Sequence, residues 1–157
     1  MPLFRFSCSI VIHRPLDEVW TFLIDFPRVA SWERGILEVR QTSPGPAGLG
    51  TTLLIRRVYF GRETQVECRI SAWDERQGVT MDLRGGPLRH ASVRYAVEPV
   101  GSAQTKVTYT GIGELRPALQ ILTPLMPALG RSDERKNLAN LKRLLETSNP
   151  STPPMAV

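Results

Sequence analysis

Histidine, cysteine and lysine are scarce in this 157-residue chain, and each scarcity removes a class of function. The two histidines, His13 and His90, stand in no metal-like spacing with Cys, Asp or Glu, so neither a metal centre nor any other cofactor is expected. The two cysteines, Cys8 and Cys68, fall on the apolar sides of alternating strands, where a small core filler is commoner than a disulfide or redox pair. Lysine occurs only at Lys106, Lys136 and Lys142; scattered arginine carries the rest of a net charge of +5, with no block denser than Arg56-Arg57. Charge spread in this way reads as a solvated surface, and nucleic acid is not an expected partner. No apolar run approaches the roughly 20 residues that span a bilayer. The opening MPLFRFSCSIVIHR lacks a basic segment, a long apolar stretch and a small-residue cleavage site. A cytoplasmic protein without a membrane span is therefore the expectation. The sequence also has no nucleophile elbow, Walker loop, dinucleotide fingerprint or internal repeat.

What the chain does have is pattern. FRFSCSIVIH (4–13) alternates apolar and polar residues, the period of a half-buried strand, and Arg14-Pro15 stops it. Pro15 suits a helix start, and Asp17 and Glu18 then sit in the positive first turn of a helix with Val19, Trp20, Phe22 and Leu23 on one side. Asp25 is placed to cap a second short helix that carries Val29 and Trp32 and breaks at Gly35. Six further strands are expected over 36–42, 51–60, 62–73, 79–84, 88–99 and 105–113. Turns rich in Pro and Gly separate them, with a hairpin tip at Phe60-Gly61-Arg62.

From Leu115 the apolar period becomes helical and runs to Leu145, with a kink or restart expected at Pro124 and Pro127. SNPSTPPMAV (148–157) has the composition of a disordered tail. The reading is one α+β domain over 1–147: a curved seven-stranded antiparallel sheet wrapped around a long C-terminal helix, with two short helices between strands 1 and 2. Each buried Leu contributes roughly 1.5–3 kcal/mol, so the last helix needs a surface to cover. A bent sheet closed by one helix is hard to fill, and a central cavity follows.

In this element order, and in RPLDEVWTFLIDFPRVASWERGI and NLKRLLE, the chain resembles the START-like or Bet v 1-like superfamily, the polyketide cyclase/dehydrase and lipid-transport group. The resemblance covers about residues 3–147. Val19, Trp20, Phe22, Asp25, Phe26 and Trp32 stand where members carry similar residues. Arg14 departs from the Ser or Thr that often caps the first helix, which leaves that helix without a side-chain cap. The resemblance implies a helix-grip fold with a pocket between the long helix and the concave sheet. It also implies a small hydrophobic guest such as a lipid, sterol or polyketide; some members are aromatase/cyclases.

Alternation nominates the polar side chains that look inward. Arg57 and Tyr59 share a face with Leu53 and Ile55; Arg89 and Tyr95 share one with Ala91 and Val93; Tyr109 shares one with Val107. A few Tyr and Arg heads among aliphatics suit a largely apolar guest with some polar groups. The pattern leaves two alternatives open: tyrosines lining the pocket or filling the core, and arginines reaching inward or, as preferred for Arg57 and Arg89, outward. On the long helix Gly130, Asp133 and Asn137 fall within the arc of Met126, Leu129, Leu141 and Leu144. Either Asp133 or Asn137 reaches a ligand or an inward Arg, or the helix overhangs the sheet there. Trp32 is the candidate gate of the pocket.

The first expectation is a module that binds or transports a small hydrophobic or aromatic molecule, as a monomer or homodimer. The alternative is a polyketide cyclase/dehydrase-type enzyme using general acid/base residues in the same cavity. A polar cluster with a perturbed acid or base deep in the pocket would separate the two. A third reading, a basic protein for RNA or a macromolecular complex, would need a contiguous arginine face.

Overall fold

The computed structural model describes residues 3–147; the tail expected at 148–157 lies outside the described residues. The strands are β1 (Phe4–Ile12), β2 (Ile36–Gln41), β3 (Thr52–Tyr59), β4 (Arg62–Asp74), β5 (Gly78–Gly85), β6 (Leu88–Pro99) and β7 (Thr105–Leu115). They form a single antiparallel sheet in the order β1-β7-β6-β5-β4-β3-β2, so β2 to β7 make a meander and β1 joins its last strand. Helix α1 (Leu16–Leu23) and a short 3-10 helix (Phe26–Ser31) carry the chain from one sheet edge to the other. A second 3-10 segment (Pro117–Leu125) leads into α2 (Met126–Thr147), which lies on the sheet. This is the helix-grip arrangement.

Local chemistry explains the elements. In β1 Phe4 and Phe6 are buried while Arg5 and Ser7 are exposed, as alternation requires. Phe60 and Gly61 both have left-handed φ, 50° and 78°, in the two-residue β3–β4 turn. That turn type matches the right-handed twist of the flanking strands. Register shifts at Ile36/Glu38, Ile70/Ala72, Leu83/Gly85 and Leu88/His90 mark bulges, which bend a sheet. Helix α1 starts after Pro15 without a side-chain cap, with Asp17 and Glu18 in its first turn. Asp25 makes no capping bond either; its carboxylate meets Arg28 at 3.5 Å instead.

The break expected at the prolines is present: 3-10 geometry ends at Leu125, and α2 starts afresh with Pro127 in its first turn, where no N–H partner is lost. The buried stripe of α2 runs through Glu134, Asn137, Leu138, Leu141 and Leu145. The arc expected from Met126, Leu129, Leu141 and Leu144 is therefore rotated: Leu129 is 48% exposed and Leu144 only half-buried. Met126 and Leu129, in the first turn of α2, border a cavity between helix and sheet instead of marking the buried face. Farther along, side chains tie the helix down. Lys142 Nζ donates to Val11 O at 2.8 Å, the His13 N–H donates to Glu146 Oε2 at 2.9 Å, and Asn140 Nδ2 donates to Trp32 O at 3.2 Å. At Gly130 any Cβ would collide with the Phe6 ring, so the absent side chain lets helix and strand approach.

Leu141 is fully buried under α2. Leu141→Ala is expected to lower the unfolding free energy by about 2–5 kcal/mol in urea titrations. A loss below about 1 kcal/mol would show that this helix face does not pack on the sheet.

Candidate functional site

Between α2 and the concave sheet lies a cavity of about 380 Å³, within the size range of small-molecule sites. Its walls are mainly apolar, and one side is a run of touching aromatic rings. Phe6 stacks on Tyr109 at 5.6 Å between centroids, Tyr109 meets Tyr95 edge-on at 4.8 Å, and Tyr95 meets Trp32 at 5.7 Å. The Tyr95–Tyr109 contact follows from β6–β7 register, which sets the two residues directly opposite. Phe60 and Leu129 line the cavity yet are 61% and 48% exposed, which puts its mouth between the β3–β4 turn and the start of α2.

Trp32, Arg57, Tyr59, Tyr95, Tyr109, Asp133 and Asn137 all border this space. Their positions differ from expectation in several respects. Trp32 is only 2% exposed, a wall rather than a gate, and its buried indole Nε1 has no hydrogen-bond partner. Asp133 is exposed at the rim. Asn137 is buried, and its amide is engaged within the protein: Oδ1 accepts from the Arg34 N–H at 2.8 Å, and Nδ2 donates to Glu134 Oε1 at 3.1 Å. Arg57, preferred as a surface residue, is half-buried against the cavity, its guanidinium 4.2 Å from the Tyr59 ring centroid. Such stacking suits a cation over an aromatic face. Its Nε is buried without a partner. Arg89 does lie outside, beside Glu114, because the bulge between Leu88 and His90 interrupts the alternation.

Two residues at the centre of the polar cluster, Glu33 and Glu134, were not expected. Glu33 follows the first 3-10 helix, its N–H bonded to Val29 O at 2.9 Å, and its half-buried side chain borders the cavity. Glu134 is 6% exposed on the inner face of α2. The two carboxyl groups oppose each other's ionisation: the Glu33 charge raises the pKa of Glu134. The Tyr95 hydroxyl donates to Glu33 Oε1 at 3.4 Å, a long bond. Burial raises the pKa of Glu33, and the Arg57 charge opposes the rise. Burial and then the Glu33 charge push Glu134 well above the usual carboxylate range. A carboxylate pair in contact cannot both ionise cheaply, so one proton stays, on Glu134. Glu134 Oε2 is buried without a hydrogen-bond partner in the protein. Burial also raises Tyr59, and lifts Tyr95 and Tyr109 well above the usual phenol range, so all three remain hydroxyl donors.

Glu134 had a readable signal. It stands at spacings of four, seven and eleven before Leu138, Leu141 and Leu145, a glutamate in an apolar stripe. Glu33 sits at an irregular turn, where no period applies. Burial pushes the Cys68 thiol up to about 12, which keeps it protonated and poorly nucleophilic. Among the described residues no group of three or more His, Cys, Asp or Glu could hold a metal ion, and no helix is long and apolar enough to cross a membrane.

A family model described as polyketide cyclase / dehydrase and lipid transport matches residues 4–146, and the chain belongs to that family. A START superfamily protein from Mycobacterium smegmatis has a TM-score of 0.81 at 15% identity, over 90% of this chain and 97% of that one. The Zhui aromatase/cyclase from Streptomyces sp. R1128 gives 0.78 at 14% identity, over 92% and 94%. A norcoclaurine synthase point mutant from Thalictrum flavum, in complex with a transition-state analogue, gives 0.68 at 13% identity, over 92% and 94%. At these identities the likeness concerns the fold. No curated protein matches the sequence.

The raised carboxyls have a signed consequence for stability. Where unfolded carboxyls have ionised but the folded pair keeps its proton, the native state binds more protons than the unfolded state. Stability then falls as pH rises, by at most about 1.4 kcal/mol per pH unit for each proton of difference. Glu134→Gln removes a titrating group of the same shape. Urea titrations at about pH 5 and about pH 8 should show the variant losing less stability than the parent across that interval. Equal losses would mean that Glu134 ionises normally.

Proposed function

We propose that the protein binds, and carries or sequesters, a small, largely aromatic or hydrophobic molecule with at least one polar group. The observation behind this reading is a cavity of about 380 Å³ with an aromatic wall and a polar cluster inside it. In this reading the rings of Tyr95, Tyr109 and Trp32 supply contact area. Arg57, the hydroxyls of Tyr59 and Tyr109, and the Glu33–Glu134 pair meet the polar group. Asp133 stands at the mouth, and Asn137 holds Glu134 in place. Apolar burial supplies most of the affinity at about 25 cal/mol per Å², and the few polar groups fix orientation.

A second reading, conversion of the bound molecule by cyclase/dehydrase-type acid–base chemistry, is favoured by one observation. The carboxyl pair with raised pKa values lies within the cavity wall, bonded to Tyr95 and Asn137, instead of out at the rim. General acids and bases work best with pKa values near the working pH, and burial moves carboxyls in that direction.

Native mass spectrometry of freshly purified protein should reveal a noncovalent small molecule, or should detect added anilinonaphthalene sulfonate bound at one equivalent. Met81 is a half-buried residue of the cavity wall. Met81→Trp should fill the space and abolish either complex while leaving the far-ultraviolet circular dichroism unchanged. A parent protein that carries nothing and takes up no dye would contradict the binding reading.

A further inference from the structure

The ionisable groups in the cavity wall do not balance. Glu33 and Glu134 are both acids, and among the described residues bordering the space Arg57 is the one cation. That cation serves Glu33: after burial, its charge is the strongest influence on the Glu33 carboxyl, whereas on Glu134 it is the weakest of those that act. Glu134 has no counter-ion of its own and keeps a proton instead. Its Oε1 accepts from Asn137 Nδ2 at 3.1 Å, but its Oε2 is buried beside the cavity without a partner, in a residue only 6% exposed. A buried oxygen left in that state is short of a donor that a guest can bring. The rings nearby suit a positively charged donor. After burial, the Glu134 charge is what most keeps the Tyr95 and Tyr109 hydroxyls protonated, so this carboxyl lies close to both rings. Those rings meet at 4.8 Å, and Trp32 continues the wall at 5.7 Å from Tyr95. Aromatic faces attract an organic ammonium, the more so where water is excluded. The groups facing Glu134 are Glu33 from the turn, Arg57 and Tyr59 from β3, Tyr95 from β6, Tyr109 from β7 and Cys8 from β1. Arg131 and Arg135 flank it on α2 and act on Cys8. Burial keeps the phenols and the thiol neutral, so with both acids ionised the cluster would carry one uncompensated negative charge.

We propose, resting on the binding reading above, that the guest is a protonated aromatic amine whose ammonium group sits between Glu134 and the Tyr95 and Tyr109 rings and displaces the Glu134 proton on entry. The ammonium N–H donates to Oε2, Glu134 becomes a carboxylate, and its proton passes to solvent. One cation enters and one leaves, so the cavity stays neutral throughout. Two buried N–H groups bordering the same space, Trp32 Nε1 and Arg57 Nε, also have no partner in the protein, and both suit an acceptor oxygen on the guest's ring. An arylalkylamine with an oxygen substituent on the ring thus brings a donor to the orphaned acceptor and an acceptor to the orphaned donors. Asn137 is a positioning residue here: by occupying Oε1 it leaves Oε2 for the guest.

The probes are methoxynaphthyl-ethylamine, the matching ethanol and the matching acetate, which place a cation, a neutral group and an anion on one bicyclic skeleton. Isothermal titration calorimetry of the full chain near neutral pH measures each affinity. The amine should bind at least about tenfold more tightly than the alcohol, because a desolvated cation–aromatic contact and a charge-assisted hydrogen bond both favour it. The acetate should bind most weakly. Titrations in phosphate and in Tris, whose ionisation enthalpies differ, should show close to one proton released per amine and none with the alcohol. Because the amine complex holds fewer protons, its affinity should rise with pH, by at most about tenfold per unit, while Glu134 in the free protein is still protonated. In Glu134→Gln the preference for amine over alcohol should disappear together with the proton release. If that variant does not fold, the charge series and the proton release of the parent carry the test. An alcohol or acetate that binds as tightly as the amine overturns the proposal and leaves the binding reading intact. So does an amine that binds without releasing a proton, or a protein that takes up anilinonaphthalene sulfonate but not the amine. Failure to bind the dye and all three probes removes both readings.

Discussion

The structure depends on α2 being held against one side of a bent sheet without descending into it. Near its C-terminal end Lys142 and Glu146 fasten it to the end of β1, and near its middle Asn137 and Asn140 fasten it to the turn at Trp32 and Arg34. Close approach occurs at Gly130, where the Phe6 ring occupies the place of a side chain. Those anchors fix the distance between helix and sheet. The bulged strands curve away beneath, and Phe6, Tyr109, Tyr95 and Trp32 line the remaining space with rings. A solid core would recover more apolar contact, since interiors normally pack near crystal density. Here the chain leaves about 380 Å³ open.

Carboxyl groups set into that space are costly to charge, because a buried ion without full pairing loses several kcal/mol of hydration. The protein lessens the cost in two ways. Arg57 lies close enough to Glu33 to favour its ionised form, and Glu134 keeps its proton while its Oε1 accepts from Asn137. The result couples the turn after the first 3-10 helix, β3, β6 and α2 through one polar cluster. Three phenol hydroxyls stay protonated around it for the same reason, burial. This arrangement gives an apolar cavity a local polarity that both binds and can react, and it makes stability depend on pH above the ordinary carboxylate range.

The order of elements was legible because alternation and helical period are direct consequences of one-sided burial, and β7 follows its pattern residue by residue while β1 and β3 do so in their first halves. Legibility failed where geometry breaks the period. Arg57, preferred as a surface residue, lines the cavity, whereas Arg89 lies outside as preferred, beside a bulge in β6. Leu129, near the start of α2, lines the cavity and meets solvent, and the buried face runs through Glu134 instead. Glu134 could have been noticed as a charge inside a stripe of leucines. Glu33 could not, because its place is set by tertiary contact at an irregular turn. The tyrosines illustrate the middle case: alternation put Tyr95 and Tyr109 on inner faces, but only the register of β6 with β7 brings their rings together.

The claim on which the chemistry turns is that Glu33 and Glu134 share one proton inside the cavity. Carbon-13 NMR of protein labelled at the glutamate side-chain carboxyls, titrated through the neutral range, measures this directly, with Glu33→Gln and Glu134→Gln providing the assignments. The account predicts a Glu134 carboxyl still protonated at neutral pH, with a Glu33 signal that shifts when Glu134 is replaced. Two carboxyls that titrate independently in the ordinary carboxylate range would contradict it.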